Sequence, residues 1–179
     1  MHRYLFAAVC LSIGVVATAA ASVLPTTASG MLALVKATPQ LEVDPTLPNP
    51  SGDRSSPWVR VKHSPEGTNG GYIAAEYAQH GTLSDGLQVL ALPLNSGGSG
   101  GVFTQLIFAA HSARAPHYVG YLSSGGHLGV HVVHGALVAE YPDYAENDAQ
   151  CCPSHYLHQK YAIVDGKLHL VSTWRTSKM

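Results

Sequence analysis

From residue 58 onwards, the chain consists of short runs rich in Val, Ile, Leu, Tyr and Thr, separated by Gly, Asn, Asp and Pro. Because the separators recur at intervals of about ten residues, the pattern predicts antiparallel β-strands rather than helices. We expect a mainly β domain over residues 58–176, in which an antiparallel meander forms a curved sheet or a small barrel or sandwich. The predicted strands are 58–62, 72–80, 87–94, 102–110, 117–122, 127–133, 136–141, 155–164 and 167–174.

Two of the separators have the composition of tight hairpin turns. Asp165 and Gly166 lie between two predicted strands, and both residue types tolerate the positive φ angles that a type I′ turn requires. His134 and Gly135 occupy the same position between two earlier strands. The C-terminal half of the chain is therefore predicted to be a series of hairpins.

Residues 1–21 have the composition of a secretory signal peptide. A basic N-terminal end is followed by an uncharged apolar segment and by Ala19-Ala20-Ala21, which supplies an A-x-A cleavage site. The apolar segment is shorter than the roughly 20 residues that a membrane-spanning helix needs. We expect cleavage before Ser22 and an exported protein, periplasmic or extracellular. Two alternatives stay open: an uncleaved N-terminal anchor, and a lipid anchor at Cys10.

Residues 22–57 are rich in Pro and in small polar residues. This composition is typical of a disordered linker. The exception is one short apolar run from Met31 to Ala37. It could form one or two helical turns that dock on the β domain, although Pro39 limits how far such a helix continues.

The charge of the chain argues against one class of partner. The formal charge is −1, it falls to −2 when Arg3 leaves with the signal peptide, and no Lys/Arg cluster occurs. No nucleic-acid partner is therefore expected. Only Cys151 and Cys152 lie outside the signal peptide, and a bond between neighbours closes no long loop, so the domain is expected to be stabilised by packing.

Histidines near the cysteine pair suggest a metal site, but their spacing weakens the signal. His127 and His131 lie four residues apart, which on a strand is about 13 Å, whereas two ligands of one zinc lie within about 4 Å of each other. A cross-strand site of His155 or His158 with His169 stays open as an alternative, because their strands are predicted hairpin partners. The main interpretation includes no metal and no other cofactor.

Cys151, Cys152 and Pro153 directly precede the strand predicted over residues 155–164. Cys151 and Cys152 are a candidate disulfide, because adjacent thiols are usually oxidised in an oxidising compartment outside the cytoplasm. Neighbouring Cα atoms lie about 3.8 Å apart, below the range of about 4.4–6.8 Å in disulfides, so the bond is strained and a redox role stays open. A nucleophile–base pair of Cys152 and His155 is a further alternative. The simplest interpretation is a stiff turn that begins the strand.

A literal G-x-S-x-G match surrounds Ser99, and aspartates and then histidines follow it, in the chain order of an α/β-hydrolase triad. That motif requires a strand, a sharp turn and a helix, whereas residues 102–110 favour a strand. We expect a hairpin loop here, with a secreted serine hydrolase that uses Ser99 as an alternative.

Three segments of the chain form an ordered set: SGGSGGVFTQL, SSGGHLGVHVVHGALVAEYPDY and DAQCCPSHYLHQKYAIVDGKL. Over residues 71–174 this set resembles a group of uncharacterised exported bacterial proteins that overlaps the LppP/LprE-like lipoprotein family. The Asp-x-x-Cys-Cys-Pro element is the most specific part of the resemblance. Cys10 departs from the pattern of a lipid-modified cysteine. The resemblance implies an exported β domain and no particular reaction.

These features predict a non-catalytic protein with a binding or structural role in the cell envelope or outside the cell. Its partner is expected to be an envelope or extracellular ligand that the sequence does not identify, bound on an exposed, tyrosine-lined surface. Contact with a membrane is expected only through an uncleaved signal or a lipid anchor at Cys10. The alternatives are a metal-binding or redox-active protein that uses the C-terminal His/Cys cluster, and the serine hydrolase.

Overall fold

The computed structural model describes residues 23–47, 49–50, 56–64, 69–97, 101–111, 114–149 and 151–177. Within them the chain forms one α-helix, one 3₁₀ turn and eleven β-strands. The elements are α1 (Ala28–Lys36), β1 (Leu41–Asp44), β2 (Trp58–Val61), β3 (Gly70–Ile73), the 3₁₀ turn (Ala75–Tyr77), β4 (Gln79–Thr82), β5 (Gln88–Asn95), β6 (Val102–Ala110), β7 (His117–Ser123), β8 (Gly129–Val133), β9 (Ala136–Asp143), β10 (His155–Val164) and β11 (Lys167–Ser177).

The strands form two antiparallel sheets. The seven-stranded sheet has the order β1-β2-β3-β5-β6-β7, with β4 also paired to β5, and the four-stranded sheet has the order β11-β10-β9-β8. The prediction of a mainly β, antiparallel domain is therefore confirmed. The barrel alternative is wrong, because each sheet retains edge strands within the described residues and neither closes on itself.

The central strands β5 and β6 are buried on both faces. On one face Leu92 and Phe108 join a cluster with Met31 and Val35 of α1. On the other face Val89 and Ile107 belong to a second cluster, which also contains residues of β8 and β9 in the four-stranded sheet. This double burial explains why β5 and β6 are almost continuously apolar instead of alternating.

The N-terminal segment differs from the expected linker over residues 22–57. α1 begins at the N-cap Thr27, whose side chain accepts a hydrogen bond from the backbone N–H of Gly30, and it buries Met31 and Val35. β1 then pairs with β2 in antiparallel register. The docked helix expected as the exception at residues 31–37 is confirmed as α1, whereas the strand β1 was not predicted.

Residues 1–21, the predicted signal peptide, lie outside the described residues, as does Cys10. Among the described residues, no helix has the length and hydrophobicity that a membrane crossing requires.

The predicted hairpin turns are confirmed. His134 and Asp165 have φ angles of 48° and 51°, and the glycines that follow them also have positive φ. The strands predicted over 102–110 and 155–164 have the observed bounds of β6 and β10. The strand predicted over 72–80 is wrong, because the 3₁₀ turn separates β3 from β4 there.

Candidate functional site

The loop between β9 and β10 is organised by the side chain of Asp148. Its carboxylate accepts hydrogen bonds from the backbone N–H groups of Ala145, at 2.7 Å, and Ser154, at 2.6 Å. It also accepts one from the Ser154 hydroxyl. These bonds, of which the Ser154 hydroxyl contributes most, hold the pKa of Asp148 below its ordinary value. The aspartate of the Asp-x-x-Cys-Cys-Pro element therefore fixes the turn that begins β10.

Cys151 and Cys152 lie on the exposed side of this turn, while Pro153 is buried. The backbone N–H of Cys152 donates to the carbonyl of Ala149 at 2.8 Å, and the two Sγ atoms lie 2.6 Å apart. The turn thus brings both sulfurs together at the surface, where an oxidant or an alkylating reagent can reach them. Whether a bond joins them stays a prediction.

The histidines proposed as a cross-strand metal site do not converge. His155 and His158 lie three positions apart on β10, so their side chains are on opposite faces of the sheet. His158 is opposite Trp174 in the β10–β11 register, whereas His169 is opposite Ala162, about 13 Å further along the strand. Among the described residues, no group of three or more His, Cys, Asp or Glu side chains is placed to hold a metal ion.

The two nucleophile hypotheses gain no geometric support. Ser99 lies outside the described residues, so the hydrolase hypothesis stays untested at its central residue. Nδ1 of His155 is buried and has no hydrogen-bond partner among the described residues. That nitrogen is therefore not hydrogen-bonded to Cys152 in this structure.

A cross-strand cluster on the outer face of the four-stranded sheet was not predicted from the sequence. We call it the hairpin cluster; its members are Glu140 on β9, His158 on β10, and Trp174 and Thr176 on β11. The His158 ring stacks on the Trp174 indole at 5.1 Å between centroids with an interplanar angle of 8°. His158 Nε2 lies 2.7 Å from the Thr176 hydroxyl, and its Nδ1 lies 3.6 Å from a carboxylate oxygen of Glu140.

The order carboxylate, imidazole, hydroxyl in this cluster matches the atom order of a hydrolase triad. In a triad, however, the hydroxyl faces a pocket that holds the scissile group next to oxyanion donors. Here Thr176 is exposed on a strand that is exposed along almost its whole length. What the geometry shows is positioning: the His158 ring, which lies against Thr176 and Glu140, stacks on the Trp174 indole and restricts its orientation. Only the register between β9, β10 and β11 brings its members together, so no local sequence signal marks it.

Few of the described tyrosines are strongly exposed. Tyr77 and Tyr144 are the tyrosines with large exposure, 62% and 38% respectively, and they lie on separate elements. Tyr141 and Tyr161 instead pack against the cluster between the sheets, where their hydroxyls lie 3.4 Å apart. Burial is the main reason that the pKa of Tyr141 is raised.

The exposed apolar surface is concentrated on β11. Leu170, Val171 and Trp174 are 55%, 57% and 41% exposed. A register shift between β10 and β11 leaves Val171 without an opposite residue, as in a β-bulge. β11 is the edge of its sheet.

Comparison with protein-family models, with curated proteins and with solved structures finds no match. The resemblance to the LppP/LprE-like group therefore stays a prediction from the three quoted segments.

Proposed function

We propose that this protein is an exported, non-catalytic binding domain that docks an extended segment of a partner polypeptide along the free edge of β11. The predicted signal peptide supports the compartment. One observation carries the binding role: an eleven-residue edge strand of which ten residues are exposed.

The free edge of β11 offers backbone groups for pairing. β11 hydrogen-bonds to β10 on one side, and on its other side no strand pairs with it among the described residues. Such an edge presents a row of unpaired N–H and C=O groups, which is a template for an added strand. Partner segments that bind in this way gain main-chain hydrogen bonds for affinity and side-chain contacts for specificity.

The side chains of β11 indicate the chemistry of the partner segment. Leu170, Val171 and Trp174 supply large, partly exposed apolar surface, which favours an apolar segment. Lys167 is exposed at one end of the strand, whereas Arg175 at the other end forms an ion pair with Asp143 at 2.6 Å. An extended apolar segment with an acidic residue opposite Lys167 therefore fits this edge.

The hairpin cluster prepares Trp174 for contact. Because the indole already stacks on His158, and His158 is held by Thr176 and Glu140, little rotamer freedom is left to lose on binding. Preorganisation of this kind lowers the entropic cost of association.

A different polypeptide fits the edge better than a second copy of this chain. Antiparallel self-pairing centred on Val171 would place Lys167 opposite Arg175. Like charges directly opposite each other destabilise a strand pair. Self-association is therefore the competing result of the test.

Site-specific photo-crosslinking tests the proposal. A photoreactive residue replaces Val171 in the full chain, and a matched chain carries it at Val133, which is 44% exposed on β8. After irradiation of the producing cells, the Val171 chain is expected to form one discrete adduct with an envelope or extracellular protein, and the Val133 chain none. In the Val171 chain, the further change Leu170→Lys is expected to reduce the yield of that adduct.

Three results would contradict the proposal. An adduct of twice the mass of this chain would show self-association, identical adducts at both positions would show non-specific contact, and retention of the uncleaved chain in the cytoplasm would exclude export.

A redox role for Cys151 and Cys152 is the second candidate function. It is favoured by the 2.6 Å separation of the two sulfurs and by their exposure. In such a step the two thiols lose two protons and two electrons to an external disulfide, which is reduced to two thiols as the Cys151–Cys152 bond forms.

A further inference from the structure

A cleft with a volume of about 540 Å³ is lined by residues of the seven-stranded sheet. Its described lining includes Trp58 on β2, Gly70 on β3, Phe103 on β6, Ser123 on β7, and Ser96, the first residue after β5. Because β3 and β6 flank β5 in the sheet, the cleft lies between these two strands just beyond the end of β5. The volume falls within the range of about 300–1,000 Å³ that is typical of sites for small molecules.

Two aromatic residues of the cleft, Trp58 and Phe103, are half-buried and so remain accessible in part. The Trp58 indole is held by its neighbours. Tyr72, its partner in the β2–β3 register, meets it at 5.1 Å between centroids and an interplanar angle of 80°. A Cβ at Gly70 would lie 3.1 Å from Cζ2 of the indole, so the glycine leaves the space that the ring occupies. Little rotamer freedom of Trp58 is therefore left to lose when a ligand binds.

Two serine hydroxyls of the cleft have hydrogen-bonding capacity left. The hydroxyl of Ser123 makes no hydrogen bond within the described part of the chain. Buried side-chain polar atoms without a partner occur there at three other residues: Gln105, Tyr118 and His155. The unpaired hydroxyl of the half-buried Ser123 is therefore accessible to solvent. Ser96 donates a long bond of 3.4 Å to the carbonyl of Gly101, and its oxygen can still accept.

The chemistry of this lining excludes two kinds of ligand. None of the described lining residues carries a formal charge, so a charged molecule would lose its hydration without gaining an ion pair. An entirely apolar molecule would displace water from the serine hydroxyls and leave them without partners.

A sugar matches both parts of the lining. Its hydroxyls donate and accept hydrogen bonds, as serine hydroxyls do. Its ring C–H groups carry small positive partial charges, which favour contact with the negative face of an aromatic ring. We propose that the cleft binds a neutral saccharide, which packs ring C–H groups against Trp58 and Phe103 and exchanges hydrogen bonds with Ser96 and Ser123. This site is separate from the edge of β11, because none of the described lining residues belongs to β11.

NMR titration with five neutral saccharides tests the proposal. The probes are methyl β-D-glucopyranoside, methyl β-D-galactopyranoside, methyl α-D-mannopyranoside, methyl N-acetyl-β-D-glucosaminide and cellobiose, each added to the ¹⁵N-labelled full chain. The chain contains two tryptophans, so the indole N–H of Trp58 is the reporter and that of Trp174 is the internal control. At least one probe is expected to shift the Trp58 indole and the backbone amides of residues 123–125 in a saturable way, without moving Trp174. The variant Trp174→Phe identifies the Trp58 signal.

Matched variants and two further probes provide the controls. Ser123→Ala removes one hydroxyl and is expected to weaken binding of the best saccharide by about three- to tenfold. Ser84→Ala makes the same change at an exposed position outside the cleft and is expected to retain the affinity. If Ser123→Ala does not fold, Ser96→Ala replaces it, with weaker binding again expected. Methyl β-D-glucuronide, which is charged, is expected to bind more weakly than the best neutral saccharide. Glycerol, which has hydroxyls but no ring, is expected to give no saturable shift.

Absence of saturable shifts with all five saccharides would overturn the cleft as a saccharide site. Equal shifts of both indoles would show non-specific contact with aromatic side chains and would also overturn it. Equal affinities of Ser123→Ala and Ser84→Ala would overturn the Ser123 hydroxyl as a recognition group. None of these results bears on the β11 edge, whose test measures adducts at Val171.

Discussion

Gly81 on β4 lies directly against Val132 on β8, where the two sheets meet, and the contact leaves no room for a side chain at position 81. A Cβ at Gly81 would lie 2.6 and 2.7 Å from the two methyl carbons of Val132, and still closer to its Cβ. Ordinary carbon–carbon contacts are about 3.5–4.0 Å. The φ angle of Gly81 lies outside the positive region, so alanine fits the backbone there and any cost of Gly81→Ala is steric.

The expected cost follows from the size of this overlap. The carbons must separate by about 1 Å, and overpacking of this kind typically costs about 1–3 kcal/mol. Because the contact involves the Cβ of Val132, a rotamer change does not relieve it, and β4 and β8 must move apart. We expect Gly81→Ala to lower the free energy of unfolding by about 2 kcal/mol. Val132→Gly is expected to cost a similar amount through lost burial and added backbone freedom.

Equilibrium denaturation in guanidinium chloride, followed by circular dichroism, measures the effect. In the double variant the new alanine occupies the space that Val132 vacates, so its destabilisation is expected to be smaller than the sum of the single changes by at least about 1 kcal/mol. Gly125→Ala is the matched control. It has no atom within 4 Å and no positive φ, so it should stay within about 0.5 kcal/mol of the parent protein. The steric explanation would be refuted if the destabilisation of the double variant equalled the sum of the two single changes. It would also be refuted if Gly81→Ala and Gly125→Ala lowered the free energy of unfolding equally.

Three further predictions concern the C-terminal hairpins. Asp148 has a pKa below its ordinary value of 3.8, mainly because the Ser154 hydroxyl donates to it. Its stabilising effect is therefore present above pH 3.8 and is lost as the pH falls through the folded-state pKa. A series of denaturation midpoints from pH 5 downwards should show this loss in the parent protein and a smaller one in Asp148→Asn. For the cysteine pair, intact mass after alkylation under denaturing, non-reducing conditions should show no alkylation and a mass lower by two hydrogens, whereas two alkylated thiols would argue against the Cys151–Cys152 bond. Gly166→Ala places a side chain at a φ of +71° and should cost about 1 kcal/mol in thermal or chemical unfolding, while an unchanged stability would mean that the turn relaxes to another type.

The strands were predictable where local pattern and tertiary environment agree. β6 and β10 have the predicted bounds. Gly101 directly precedes β6, and the Asp165–Gly166 turn, which has the predicted positive φ angles, directly follows β10. The segment 72–80 was predicted as one strand because its apolar run has no strong breaker. In the fold, the partner of β5 changes from β3 to β4 within this run, and the chain must turn there. The position of this turn depends on which strands pair with β5, and the local sequence does not determine that pairing.

The N-terminal segment was predicted in part. The apolar run from Met31 to Ala37 indicated a short docked helix, and in α1 Met31 and Val35 lie four residues apart on one buried helical face. The strand β1 was missed, because its four residues stand among prolines and become a strand only by pairing with β2. The hairpin cluster could not be predicted, because only cross-strand register brings its members together. The separation of His155 from His158, in contrast, follows from strand parity alone.

The attachment of the N-terminal segment also changes how the domain can be tethered. A flexible linker over residues 22–57 would let the domain explore roughly 30 Å around its point of attachment. Instead, the backbone N–H of Val23 donates to the side chain of Gln88 on β5 at 3.1 Å, and Leu24 is 3% exposed in the core. From residue 23 to β1 the chain is therefore part of the folded body and does not act as a flexible spacer. If residues 1–21 stay in a membrane, the domain is held at its surface, and only partners within a domain's width of that surface come within range of the β11 edge.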